Sequence, residues 1–187
     1  VAWESSHVVA WESSHVVARE SSHVEAWGSS SVVAWESSSV VASKYVAIQS
    51  HPGHVGPVNG GALIVIPPIQ TAADWCAYHG AHVEGELAIL YKAVRDDYRS
   101  SHGFLYEPGT TPEAPDWDGG RAECGGGLHF CAHPYAAKEF DPAATKYVAC
   151  PVALADIVVH QNPSYPHKVK ARRVAAPIYD VDEDGEP

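Results

Sequence analysis

The sequence predicts a mainly β protein: an N-terminal octapeptide β-solenoid followed by a small α+β module. Three observations carry this expectation. Residues 8–15, 16–23 and 24–31 read Val-Val-Ala-Trp-Glu-Ser-Ser-His, Val-Val-Ala-Arg-Glu-Ser-Ser-His and Val-Glu-Ala-Trp-Gly-Ser-Ser-Ser, a period of eight. The repeat decays from Ser43 and stops at Pro67-Pro68, where residues lacking an N–H end a strand ladder. Beyond that point, short apolar runs alternate with Gly- and Pro-rich loops and two helix starts. The expected boundaries are 1–68 for the solenoid, 69–85 for a capping helix and linker, 86–179 for the α+β module and 180–187 for an acidic tail.

Variation among the octads separates inward from outward positions. One slot holds Val8, Val16, Val24, Val32 and Val40. Two residues on, Ala10, Ala18, Ala26, Ala34 and Ala42 recur; two residues before, Ser6, Ser14, Ser22, Ser30 and Ser38 recur. Small-Val-small at period two is one face of a strand in a narrow interior. The intervening slots exchange Val for Glu25, Trp for Arg19 and His for Ser31, so they face outward, and the Ser-Ser step is the expected corner. A flattened coil of two octads is preferred over a triangular coil of three. It stacks Trp3, Arg19 and Trp35 on one wall, a cation–π sandwich, and Trp11 with Trp27 on the other. It also stacks Glu4, Glu20 and Glu36, which is unfavourable unless they splay at the corner. The chain lacks methionine and Val1 enters one position into a repeat, so the array is expected to extend beyond Val1.

The remaining elements follow in order. The stretches 45–50, 54–55 and 61–66 look like further coils. Thr71-Ala-Ala-Asp74 starts a helix of capping-box type that runs over 72–79 and stops at Gly80, placed to cap or flank the open end of the array. Strands are expected at 87–94, 104–106, 128–132, 146–154, 156–160 and 168–174, with a helix opening on Pro134. Residues 107–121 form a long loop, a frequent place for function, and the tail from Asp180 is expected to fray.

Composition narrows the function classes. With 12 Lys+Arg against 23 Asp+Glu the net charge is −11, which disfavours a nucleic-acid partner but leaves an acidic DNA-mimic inhibitor as one alternative. The charge is spread along the chain, which favours a function of shape. The longest apolar run, 62–66, is strand-sized, so no membrane association is expected. Four irregularly spaced cysteines are too sparse for a secreted disulfide scaffold, so a cytoplasmic or virion-associated location is expected instead.

Surface-binding candidates are Trp3, Trp11, Arg19, Trp27 and Trp35, since four of the six tryptophans share one outward slot. The histidine slots, His7, His15 and His23, are expected not to gather a metal because their neighbours offer no second ligand type. In the module, strand alternation sets His129, Cys131 and His133 on one face with Cys124 close in sequence, a chemically possible zinc set without a Cys-x-x-Cys knuckle. Lys168-Val-Lys-Ala-Arg-Arg173 is a basic strand suited to an anionic ligand or to the acidic tail, although a solvated face is the commoner outcome. No G-x-S-x-G elbow, P-loop or H-E-x-x-H occurs.

The octapeptide array, with Tyr91-Lys92 and Gly127-Leu-His-Phe-Cys131 in the module, resembles a group of octapeptide-repeat proteins from actinobacteria and their phages. That resemblance implies an origin and no activity. Tyr91-Lys92-Ala93, Gly127-Leu-His-Phe130, Tyr135-Ala-Ala and the strand near 148–154 also resemble, distantly, the ADP-ribosyltransferase fold. Lys92 stands where that family has His, His129 where it has Tyr, and no Glu opens the last strand. The resemblance therefore implies an inactive or repurposed relative, with Tyr91, Lys92, His129 and Tyr135 as ligand-binding candidates and Lys92 and His129 as the catalytic ones. NAD enters only under that alternative; the leading expectation requires no cofactor. It is a structural or interaction scaffold presenting a Trp/Val/His wall to an unidentified protein partner or to copies of itself, and not an enzyme.

Overall fold

The computed structural model describes residues 1–160 and 165–187. They form two compact units, Val1–Pro68 and Ile69–Pro187.

The first unit is a flattened β-solenoid. Its strands are β1 (His7–Ala10), β2 (His15–Ala18), β3 (His23–Ala26), β4 (Ser31–Ala34), β5 (Ser39–Ser50) and β6 (Val58–Val65). All pair in parallel, in the order β1-β3-β5-β4-β2 with β6 on β5. His7 lies beside His23, His15 beside Ser31 and His23 beside Ser39, so one coil closes every two octads. The inward slots are as expected: Val16, Val24, Val32 and Val40 are buried together with Ala18, Ala26, Ala34, Ser22, Ser30 and Ser38. Each fully buried Val contributes about 1.5–3 kcal/mol, and Ala and Ser keep the two walls close.

The corner falls one residue before the expected Ser-Ser step. Glu4, Glu12, Glu20 and Glu36 take left-handed backbone with φ of 55°, 58°, 56° and 57°, and Gly28 takes the same place at 70°. A Ser6 N–H to Trp3 O bond of 3.1 Å closes the first such turn. At this corner a Glu36 carboxylate oxygen accepts from the Glu20 N–H at 2.5 Å. In β5, Ser43-Lys44-Tyr45 replaces the turn-forming triplet, and the strand runs on to pair with β3 and then β4. At the matching point of β6, Gly60 lies so near Ala42 O that a Cβ would sit 2.1 Å from it. Residues 54–55 lie outside the strands.

The described residues of the second unit form a seven-stranded antiparallel sheet with two helices. Helix α1 (Ala72–His79) has the expected capping box, Thr71 with Asp74, and ends on Gly80 at φ 69°. Its Ala72, Trp75 and Cys76 are buried in this unit's core, and Trp75 Nε1–H donates to Pro166 O at 2.8 Å. Strands β7 (His82–Glu84), β8 (Leu87–Val94), β9 (Leu128–Cys131), β10 (Lys146–Ala153), β11 (Ile157–Val158), β12 (Lys168–Ala171) and β13 (Tyr179–Val181) are ordered β11-β12-β9-β8-β10-β13, with β7 on β8. Helix α2 (Pro134–Lys138) begins on the expected proline.

Several expected elements differ. Residues 104–106 contribute only a bridge from Leu105 to Arg99. The expected strand at 156–160 shrinks to β11, because a 3-10 turn at Leu154–Asp156 uses its start. The 168–174 strand ends at Ala171, with Arg173 bridging Glu113. The tail is tied down at its start: β13 pairs with β10, and Tyr98 Oη–H donates to Asp180 at 3.2 Å.

Candidate functional site

Strands β8 and β9 are neighbours that share one registered pair, Tyr91 with Cys131. Around it opens a cavity of about 620 Å³ lined by Tyr91, Lys92, Tyr106, His129, Phe140 and Lys168 among others. This is within the range of about 300–1,000 Å³ usual for small-molecule sites. Tyr91, Lys92 and His129, singled out from sequence, thus converge. Tyr135 does not: it is 67% exposed and stacks on His133 with ring centroids 5.2 Å apart. As the second residue of α2 it points away from the buried Ala136 and Ala137.

Lysine dominates the electrostatics. Lys92 Nζ donates to His129 O at 3.1 Å and lies 5.6 Å from the Tyr106 ring centroid. Burial lowers its pKa, with Lys168 adding to the effect and nearby Cys131, Cys150 and Asp141 opposing it. Among the described residues no carboxylate lies within ion-pair distance of Lys92. The cations of the basic strand each meet an acid. Lys168 pairs with Glu123 and lies over the Phe140 and Tyr165 rings at 4.8 and 5.3 Å. Lys170, fully buried, pairs with Asp118 at 2.6 Å and donates to Gly126 O at 3.2 Å. The Lys170 hydrogen bond, with backbone N–H donors from Gly120 and Gly126, holds the Asp118 carboxyl down to about 2. Arg172 meets Glu113 at 2.7 Å and Arg173 meets Asp156 at 3.0 Å. The basic strand is therefore neither a solvated face nor a clasp for the tail. Three of its four acids, Glu113, Asp118 and Glu123, fasten the segment between β8 and β9, part of which lines the cavity.

His129 Nε2–H donates to Glu123 O at 3.1 Å, since a carbonyl only accepts; the neutral ring keeps its lone pair on Nδ1. Burial, then the Lys92 and Lys168 charges, hold its pKa down to about 4. Burial pushes the Cys131 thiol up to about 12 and Cys150 higher still. These sulfurs are protonated and poorly nucleophilic at neutral pH. Among the described residues the cavity thus presents one ammonium without a paired carboxylate, a neutral imidazole and aromatic faces, which suits holding an anion with a flat apolar part.

The proposed zinc quartet does not assemble. His129 is turned to Glu123 O, whereas His133 Nε2–H donates to His79 O at 2.7 Å. Cys131 is buried and Cys124 exposed. The one converging ligand group among the described residues lies in the first unit, at His7, His23 and Glu25.

The solenoid candidates stack as the two-octad coil requires. The Arg19 guanidinium carbon lies 5.2 Å from the Trp3 centroid and 5.0 Å from that of Trp35. Trp11 and Trp27 stack at 5.9 Å. Trp3 and Trp11 are 54% and 62% exposed, and Trp27 and Trp35 are half-buried. Sequence reasoning missed Tyr106, Phe140 and Lys168 as cavity residues. The Phe-Leu-Tyr and basic-strand patterns hinted at Tyr106 and Lys168 without stating what lies across the sheet, and no pattern pointed to Phe140.

Residues 88–178 match the model of a family described as a domain of unknown function (DUF7666), a stretch that includes every cavity residue named above. No curated protein and no solved structure gives a match.

Proposed function

We propose that the second unit binds a small anionic molecule bearing a flat aromatic group, of the nucleotide class, and that the solenoid is its structural scaffold. The observation that carries this is Lys92, whose ammonium faces an aromatic-lined cavity with no carboxylate paired to it among the described residues. Taking a cation out of water is unfavourable unless a counter-charge arrives, and a phosphate or carboxylate on the ligand supplies one. Tyr91, Tyr106 and Phe140 offer faces for an aromatic ring. The resemblance to the ADP-ribosyltransferase fold supports the same class, because Tyr91, Lys92 and His129 all line this cavity.

The test is calorimetric titration of the full chain with AMP, ADP, NAD⁺ and inorganic phosphate, beside the variant Lys92→Met. A charge-assisted hydrogen bond is worth about 1.5–3 kcal/mol, so the variant should bind at least about tenfold more weakly. Equal binding by the variant, or no binding of any of the four by the native chain, removes the proposal. NAD⁺ binding with labelled product would extend it to a transferase.

A second reading is self-assembly through the solenoid wall, favoured by the exposure of Trp3 and Trp11 on its rungs. Monomers alone in size-exclusion chromatography and electron microscopy at high concentration would end it. The actinobacterial or phage origin that the octapeptide resemblance implies suits such a scaffold and adds no chemistry.

A further inference from the structure

Coils of two octads bring together side chains that are sixteen residues apart. His7 lies in register with His23, and Val9 with Glu25, on the same wall. Residues two apart on a strand share a face, so the Glu25 carboxylate reaches both imidazoles. Its Oε1 lies 3.3 Å from His7 Nε2 and 3.8 Å from His23 Nε2, and the rings are 5.0 Å apart between centroids. All three ligand atoms lie within 4.8 Å of one another.

We propose that His7, His23 and Glu25 bind a divalent cation of the zinc class that ties the first coil to the second. Zinc takes imidazole nitrogen at about 2.0–2.1 Å and carboxylate oxygen at about 2.0–2.2 Å, which separates tetrahedral ligands by about 3.3–3.4 Å. The His7–Glu25 pair already has that spacing, the His23–Glu25 pair exceeds it by about half an ångström, and the two imidazole nitrogens lie within 4.8 Å of each other. His23 is also oriented for the task. Its Nδ1 lies 2.8 Å from Ser39 Oγ in the next coil. With Nδ1–H donating there, the Nε2 lone pair faces Glu25, the outer arrangement that metal-binding histidines use. The site is partly exposed, which leaves a fourth position open to water, as in other three-ligand zinc sites.

The opposite wall contains the same histidine without the site. His15 Nδ1 lies 2.8 Å from Ser31 Oγ, but Val17 and Val33 occupy the positions that correspond to Glu25. The second ligand type whose absence the octad pattern suggested is therefore supplied by the one octad in which Glu replaces Val.

Zinc chloride is titrated into the untagged, metal-stripped full chain by calorimetry, with cobalt absorption as a second readout. The variants are Glu25→Val and His23→Ser. Each installs a residue that other octads already carry in that slot, so the coil is expected to persist, as circular dichroism will check. The native chain should bind one zinc that each variant binds more than about tenfold more weakly, show the visible absorption of tetrahedral cobalt, and gain thermal stability with zinc that the variants do not. Identical zinc isotherms for native chain and variants, or no zinc binding by the native chain, would overturn the proposal; in the latter case the three groups form only a polar cluster on the wall.

Discussion

Lowering the pH from 7.5 to 5 should loosen the second unit through His129. Its folded pKa of about 4 lies below the ordinary imidazole value, because of burial and then the Lys92 ammonium. The unfolded chain takes up a proton from about pH 6.5 downward, while the folded ring refuses it until about pH 4. The associated stability is therefore complete above about pH 6.5, falls as the pH drops towards 4, and changes no further below that. At pH 5 the two titrations differ by about 2 kcal/mol, and the partial exposure of the ring reduces this to about 1–2 kcal/mol. The assay is hydrogen exchange by mass spectrometry on peptides from β8 and β10, corrected for the intrinsic pH dependence of exchange. Protection there should fall by about 5–30-fold beyond any other contribution. His129→Gln keeps an N–H donor for Glu123 O and removes the titration, so its pH dependence should be smaller by that factor. An unchanged pH dependence in this variant, or a His129 ring that titrates near 6.5 by NMR, would refute the reasoning.

Three further outcomes are expected. Ala26→Leu overfills a fully buried slot between two walls and should cost about 1–3 kcal/mol in denaturant unfolding of the solenoid; an unchanged midpoint would show that the roll has room. Glu12→Gly relieves left-handed backbone at φ 58°, the place Gly28 takes in its own octad, and should stabilise by about 0.5–1 kcal/mol, so a drop in melting temperature would count against a strained corner. Asp118→Asn strands the fully buried Lys170 ammonium and should lower the melting temperature more than the double variant Asp118→Asn with Lys170→Met; the reverse order would deny the ion pair its role.

The octad pattern alone determined the solenoid and its inward faces. A buried slot between close walls favours small and β-branched residues, so burial at 16, 18, 22 and 24 is legible in the chemistry that recurs. Helix α1 was legible to the residue because its caps, Thr71, Asp74 and Gly80, act within one turn of the chain. Local rules did not reach the corner at Glu4 and its equivalents, where left-handed backbone is held by pairing with the next coil rather than by residue preference.

Only the tertiary structure decided which distant charges meet. In the sequence Lys168 and Lys170 read as an open basic strand, and it is the segment between β8 and β9 that brings Glu123 and Asp118 to them. Lys92 stood out in the sequence beside Tyr91. That it faces a cavity with no paired carboxylate among the described residues depends on β8 and β9 meeting at a single pair. The same holds for His7, His23 and Glu25, since the coil length sets which octads touch and one octad does not reveal it. Periodic burial and caps are short-range and repeat in the chain, whereas charge pairing depends on through-space distances that close only when the backbone is assembled.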